Sequence, residues 1–350
     1  MRFGLILPIQ DVEQPLDVLL DQLRAEVRAA DEAGFDAFFL PEFHQTRAGG
    51  VVSPLLTGAA LAEGTRRIRV GQAVVPGPLH HPVRLAEDAV MLSWLTRGRA
   101  MLGVGVGHLP PDFELYDVDR ASRFDRLRDL LDVVDAAWAG EPFDVAGRHG
   151  RWRGHVTPPP YGGVRPELVM GAHGPRGLRL AGERADLWLS DPQRHVEVVA
   201  RMAGRVREHA AGAGRSVRVG MFRDGWIGES RAECEEHWLP HAMAVHRLYF
   251  NVGVYLPEYE PWVHTIRTRA DFSPDVVAPG RLLYGNGADL RAEISDWHGR
   301  TGADYLAMRM RQPGGPGHDA TLAAIARFGE EVIGPMQTDR RHTPEQVGAT

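Results

Sequence analysis

The chain has 350 residues, a net charge of −6 and a hydrophobic fraction of 43%. That balance suits a folded chain with a sizeable core and argues against nucleic acid as its main partner. A single cysteine, Cys234, leaves no internal disulfide and no cysteine-based metal cluster. All 40 basic residues are arginine, which we read as codon bias rather than function. The opening MRFGLILPIQ is too short an apolar run for a signal peptide or membrane span, so a cytoplasmic protein is expected.

In chain order, strand and helix signals alternate. Arg2–Pro8 reads as a buried strand, and Leu16–Ala33 has helical apolar spacing closed by Gly34. Ala37–Leu40 is the second strand, in the stretch DAFFLPEFHQT, where an apolar run meets Pro41 and turns ionisable. A helix over Pro54–Ala62, a strand over Arg69–Val75 and a helix over Pro82–Leu95 follow. The strand Arg99–Val106 precedes a helix over Ser122–Trp138. Then come strand Glu167–Gly171 with helix Arg176–Gly182, and strand Leu187–Ser190 with helix His195–Ala213. Strand Val217–Phe222 with helix Arg231–Val245, and strand Asp304–Met310 with helix Ala320–Ile333, complete eight alternations. These predict a (β/α)₈ TIM barrel over 1–336, with a doubly wound open sheet as the alternative. Two stretches break the rhythm after strands four and seven. Gly140–Gly163 is Gly- and Pro-rich and predicts a hairpin and loop; Leu248–Asn286 is aromatic and reads as a lid, a packing insertion or a dimer contact. Residues 337–350 read as a flexible tail.

In a barrel the strand exits surround one mouth, where barrel enzymes work. The exits are Pro8–Ile9, Glu42–His44, Ala73–Pro76, Gly105–His108, Gly171–His173, Ser190–Asp191, Phe222–Asp224 and Arg309–Arg311. Gly103, Gly105 and Gly107 share one face of a strand, which admits a flat ligand or another backbone; tight internal packing explains them equally well. In GAHGPRG, His173, Gly174, Arg176 and Gly177 lie at a helix start, where free N–H groups and a guanidinium favour an anion; an ordinary turn is the alternative. His44 beside Glu42 suits acid–base work or hydrogen bonding to a ring. His80 and His81 read as loop residues, one of them able to line the pocket. No H-E-x-x-H and no G-x-S-x-G occurs, which weakens metal-hydrolase and serine-hydrolase readings.

The segments MRFGLILP, EAGFDAFFLPEFH, HPVRLAEDAVMLSWLTRGR with GVGVG, RADLWLS and FGEEVIGPM, in this order, resemble the bacterial luciferase-like monooxygenase superfamily. The resemblance implies a (β/α)₈ barrel using reduced FMN from a separate NAD(P)H:flavin reductase and O₂ through a flavin C4a-peroxide. It implies a non-proline cis peptide at Ala73–Val74 supporting the isoalloxazine ring. Phosphate contacts fall on His173, Gly174, Arg176 and Gly177, with Gly105 and Ser190 also lining the cofactor. Glu42 and His44 carry the catalytic motif, whose first histidine is here Phe43. Gly105 and Val106 stand where the luciferase has Cys and Arg, so hydroxylation or Baeyer–Villiger oxygen insertion is expected rather than light emission. A small-molecule substrate drawn from aromatic or polyketide-type secondary metabolism, no metal, and a homodimer through helices two and three complete the expectation. A deazaflavin-dependent oxidoreductase and a non-catalytic luciferase-like subunit are the alternatives.

Overall fold

The computed structural model describes residues 1–8, 14–45 and 51–342. Ile9, Thr46 and the end of the expected tail, 343–350, lie outside the described residues.

The apolar runs pair side by side. The strands are β1 (Arg2–Ile6), β2 (Ala37–Leu40), β3 (Arg69–Gln72), β4 (Val75–Pro76), β5 (Met101–Gly105), β6 (Phe143–Ala146), β7 (Arg151–Gly154), β8 (Glu167–Gly171), β9 (Leu187–Ser190), β10 (Arg218–Ile227), β11 (Leu282–Gly285) and β12 (Tyr305–Arg309). Ten form one parallel sheet, ordered β3-β2-β1-β12-β10-β9-β8-β5-β4 with β11 beside β10. Counting β3 and β4 as one interrupted strand, and setting β11 aside, leaves eight barrel positions. β3 pairs with β2 while β4 pairs with β5, and the Val70 N–H donates to the Arg99 carbonyl at 2.9 Å, so the two ends of the sheet meet. The result is a nearly closed barrel.

Both faces of the barrel strands are buried, which is why the sequence runs are continuous rather than alternating. Ile6, Phe39, Met101, Leu187, Leu189 and Tyr305 fill the interior. Phe38, Leu40, Leu102 and Trp188 face the helices. Those helices are α1 (Leu16–Ala33), α2 (Pro54–Leu61), α3 (Pro82–Leu95), α4 (Pro110–Leu115), α5 (Arg123–Trp138), α6 (Pro175–Arg184), α7 (Val196–Gly212), α8 (Arg231–His237), α9 (Leu239–Asn251), α10 (Pro274–Val277), α11 (Gly287–Thr301), α12 (His318–Phe328) and α13 (Gly334–His342). Gly34 closes α1 at φ +92°, its N–H donating to the Ala30 carbonyl. No described helix is long and apolar enough to cross a membrane.

The structure departs from the sequence expectation in five places. The predicted third strand is interrupted between Gln72 and Val75, at the Ala73–Val74 peptide, which is cis as the resemblance implied. The predicted helix Arg231–Val245 is two helices, α8 and α9, divided at Trp238 ahead of Pro240. The stretch between Leu248 and Asn286 contains α10 and β11, and β11 extends β10 to Ile227 by giving it a partner beyond the barrel. Helix α11, which the sequence reading passed over, then packs against α7 and leads to β12. Its signal was present: Asn286 and Asp289 form a reciprocal capping box, followed by Leu290, Ile294 and Trp297 on the buried side. Helix α13 also occupies Gly334–His342, part of the expected tail. Within 140–163, β6 and β7 pair antiparallel.

Candidate active site

Parallel strands bring their carboxyl ends to one rim, so β2, β3/β4, β5 and β8 present their exits in succession. Beyond β2, Glu42 and His44 are both buried, and His44 Nε2 lies 2.9 Å from Glu42 Oε1. His80 Nε2 reaches the same carboxylate, at 2.9 and 3.1 Å from its two oxygens. The Tyr116 hydroxyl lies 3.4 Å from His44 Nδ1. An ionised Glu42 can only accept, so the two Nε2–H groups donate to it, and His44 Nδ1 accepts from Tyr116. Both His44 nitrogens are thus engaged, and the half-exposed Tyr116 ends the chain on the outer side. Burial raises the Tyr116 pKa, with Glu42 and Asp112 adding to it. The Asp112 carboxyl is raised by burial, opposed by His44. His81 does not join this group; its Nδ1 caps α3 by accepting from the Arg84 N–H.

The glycine run of β5 serves the interrupted strand beside it. A Cβ on Gly103 would stand 1.7 Å from the Gln72 carbonyl oxygen, so Gly103 admits backbone. A Cβ on Gly105 would stand 2.9 Å from Val74 Cγ2, and one on Gly171 would stand 3.4 Å from the same side chain. Val74 therefore sits on a floor made by two glycines. Ala73, Val74 and Gly105 come together at the rim.

At the β8 exit, Gly174 is the N-cap of α6, with no side-chain cap, and a Cβ there would meet nothing within 4 Å. The first-turn N–H groups, Gly177 included, are open to an anion. His173 is exposed, with Nδ1 3.5 Å from Asp191 Oδ2. Arg176 leans towards α5, its Cζ 4.5 Å from the Phe124 ring centre. The Arg123 Cζ lies 5.4 Å from the centre of the same ring. Burial lowers the His108 pKa, and the neighbouring charges of His173 and Arg120 lower it further. His108 was visible as a strand exit; Arg120 and Arg123 escaped sequence reasoning because they stand just before and at the start of α5, away from the glycine-rich turn. Ser190 is not brought to this wall. It is buried at the end of β9, and its Oγ makes a 3.4 Å contact to the Asp191 carbonyl.

A second polar group closes the rim between β10 and β12. The fully buried Asp224 accepts from Arg309 Nη2 at 2.8 Å, Gln312 Nε2 at 2.7 Å and His246 Nε2 at 2.9 Å. His246 Nδ1 is joined to the Tyr255 hydroxyl, and Arg309 Nη1 donates to Tyr249 at 3.0 Å. Burial would raise the Asp224 pKa, but Arg309 and His246 outweigh it and hold the carboxyl far below its usual range. Asp224 and Arg309 were visible as strand exits. His246, Tyr255 and Gln312 had no such signal. The aromatic residues of the long insertion pack on each other, as its packing alternative has it: Phe250, Tyr255, Trp262 and Phe272 form one ring cluster.

Residues 1–270 match the profile of the family described as luciferase-like monooxygenase. The chain belongs to that family. This luciferase-like chain is 37% identical over 159 residues to 4-hydroxyprotoasukamycin monooxygenase of Streptomyces nodosus subsp. asukaensis, covering 44% of this chain and 42% of the relative. It is 32% identical over 161 residues to limonene 1,2-monooxygenase of Rhodococcus erythropolis, covering 45% and 41%. The matches thus span less than half the length of these relatives. Among solved structures, the oxygenating constituent of 3,6-diketocamphane monooxygenase from Pseudomonas putida, a type II Baeyer–Villiger monooxygenase in complex with FMN, superposes with a TM-score of 0.80 at 20% identity, covering 95% and 97% of the two chains. A coenzyme F420-dependent tetrahydromethanopterin reductase from Methanopyrus kandleri gives 0.74 at 19%, covering 95% and 99%. Both likenesses concern the fold.

Proposed function

We propose that this protein is the oxygenase of a two-component system, using reduced FMN from a separate flavin reductase to insert oxygen into a small organic molecule. The observation that carries the reading is the two-sided rim: an uncapped, arginine-flanked helix start on one side and the buried Glu42–His44 pair on the other. The donor set fits a flavin phosphate. The N–H groups of α6 with Gly174, Arg176 and Gly177 would hold the phosphate, and His173 would donate to it. Ala73 and Val74, seated over Gly105, would support the ring. Bound reduced flavin would supply the activation of O₂. Glu42 fixes the His44 tautomer, and Tyr116 hands a proton to or from His44 Nδ1. Asp224 and Arg309 anchor α9 through His246 and Tyr249.

A homodimer through α2 and α3 is part of this proposal. Leu56 on α2 and Leu95 on α3 are 72% and 67% exposed, an apolar surface suited to a second copy. A deazaflavin-dependent reaction on the same barrel is the second reading, favoured by the excess of unpaired arginine beside α6.

The test combines the protein with NADH, FMN and a generic flavin reductase and follows reduced-FMN reoxidation in air. Binding with slowed reoxidation is expected. Reduced FMN that neither binds nor reoxidises more slowly overturns the reading.

A further inference from the structure

The wall of the mouth opposite the interrupted strand carries a hydrogen-bond donor with no partner. β10 stands four positions from β3/β4 whichever way the barrel is followed, so β10 and its neighbour β12 face the Ala73–Val74 peptide across the opening. Phe222 on β10 is half-buried and packs against the interior cluster that holds Leu189, Tyr305 and Ala307. Asp224 and Arg309 are partners in register, each two residues further along its strand than one of those interior residues and so on the same face. The Arg309 Cζ lies 5.4 Å from the centre of the Phe222 ring and 5.8 Å from that of Tyr249, a half-buried residue of α9.

The charges of this wall cancel. Asp224 accepts from Nε and Nη2 of Arg309, from Gln312 Nε2 and from His246 Nε2. Those four donors fill the lone-pair positions of a carboxylate, so Asp224 has none left for a ligand cation. A ligand anion would have to displace that buried carboxylate to pair with Arg309. Burial lowers the His246 pKa, so the imidazole adds no charge at neutral pH. Tyr249 differs from all of these. Its oxygen accepts from Arg309 Nη1 at 3.0 Å, and its own O–H has no acceptor among the described residues. A hydroxyl that accepts from a guanidinium is a stronger donor to its next partner.

We propose that Tyr249 selects the substrate: its O–H donates to the carbonyl oxygen of an uncharged, ring-bearing molecule whose apolar body rests on Phe222. The inference rests on the reading that an isoalloxazine ring lies against Ala73 and Val74, which leaves the Phe222 and Tyr249 side of the mouth to the substrate. A carboxylate, sulfonate or ammonium group placed there would lose its hydration and find no unmatched counter-charge.

Four probes of one shape test this: tetralone, tetralin, aminotetralin and tetralin carboxylate, titrated by calorimetry into the full chain with saturating oxidised FMN. Tetralone should bind about threefold to tenfold tighter than tetralin, the difference that one hydrogen bond makes, and both charged probes should bind more weakly than tetralone. Tyr249→Phe should bring tetralone to within about twofold of tetralin, with tetralin and FMN held within about twofold of their parent affinities. Tyr255→Phe is the control. Its hydroxyl is joined to His246 Nδ1, so the change loosens the hold on α9 and should lower the melting temperature while the preference for tetralone persists. A charged probe that binds tightest overturns the proposal. So does a preference that survives Tyr249→Phe or is lost equally in Tyr255→Phe, and so does a chain that binds FMN but none of the four probes; each of these leaves the cofactor reading standing. If FMN itself does not bind, the cofactor reading falls and takes this placement of the substrate with it.

Discussion

The Tyr116 hydroxyl meets His44 Nδ1 at 3.4 Å, although 72 residues separate them in the chain. Tyr116→Phe removes that donor and leaves the ring. We expect kcat to fall by about tenfold to a hundredfold with the flavin Kd unchanged. His44→Asn should lose more, because it also breaks the bond to Glu42. Steady-state kinetics with parallel flavin titration checks both; unaltered turnover in both variants removes the relay from the mechanism.

Asp224 compensates the buried Arg309 guanidinium. Asp224→Asn leaves that charge unpaired and should destabilise the fold by about 3–5 kcal/mol. The double change Asp224→Asn, Arg309→Met should be milder, since no uncompensated charge remains. Urea denaturation of the three proteins measures the difference.

Burial pushes the Glu293 carboxyl up to about 7, against the opposing pull of Arg231. An acid whose folded pKa is raised binds more protons in the folded state. Its penalty is absent below about pH 4.5, grows as pH rises and is complete above about pH 7. Glu293→Gln should therefore stabilise the protein at pH 8, by about 2–3 kcal/mol, and change little at pH 4.5. Thermal melts at the two pH values give the comparison.

Gly103→Ala places a methyl group 1.7 Å from the Gln72 carbonyl, where only backbone could yield. A loss of about 3 kcal/mol or more is expected. In Gly105→Ala the conflict is with the Val74 side chain, so adding Val74→Ala should recover part of the loss. Melting temperatures that rank the three variants otherwise contradict this packing.

Leu56→Arg with Leu95→Arg puts charge on the apolar surface of α2 and α3. Sedimentation should show a dimer for the parent and a monomer for the variant. A parent that sediments as a monomer rejects the proposed interface.

The sequence by itself determined the alternation of buried strands and covering helices, and the closed sheet decided for the barrel over an open one. Apolar runs such as AFFL and LWLS have no polar face, so they pair only where both faces are covered, and helical spacing between them supplies the cover. Local chemistry also placed Gly34 as a helix end and Glu42 with His44 at a strand exit. Contacts between distant segments had no local signature. Gly103 reads the same whether a ligand or Gln72 fills its space, and only the closed sheet gives that space to Gln72. His80, Tyr116 and His246 are single polar residues on separate segments. Their partners, Glu42, His44 and Asp224, are chosen by the curvature of the barrel, which turns strand ends and their loops towards one axis. The aromatic content of the long insertion was legible, but its direction was not. Phe250, Trp262 and Phe272 pack together because burying rings against one another removes more apolar surface from water than lining an open rim.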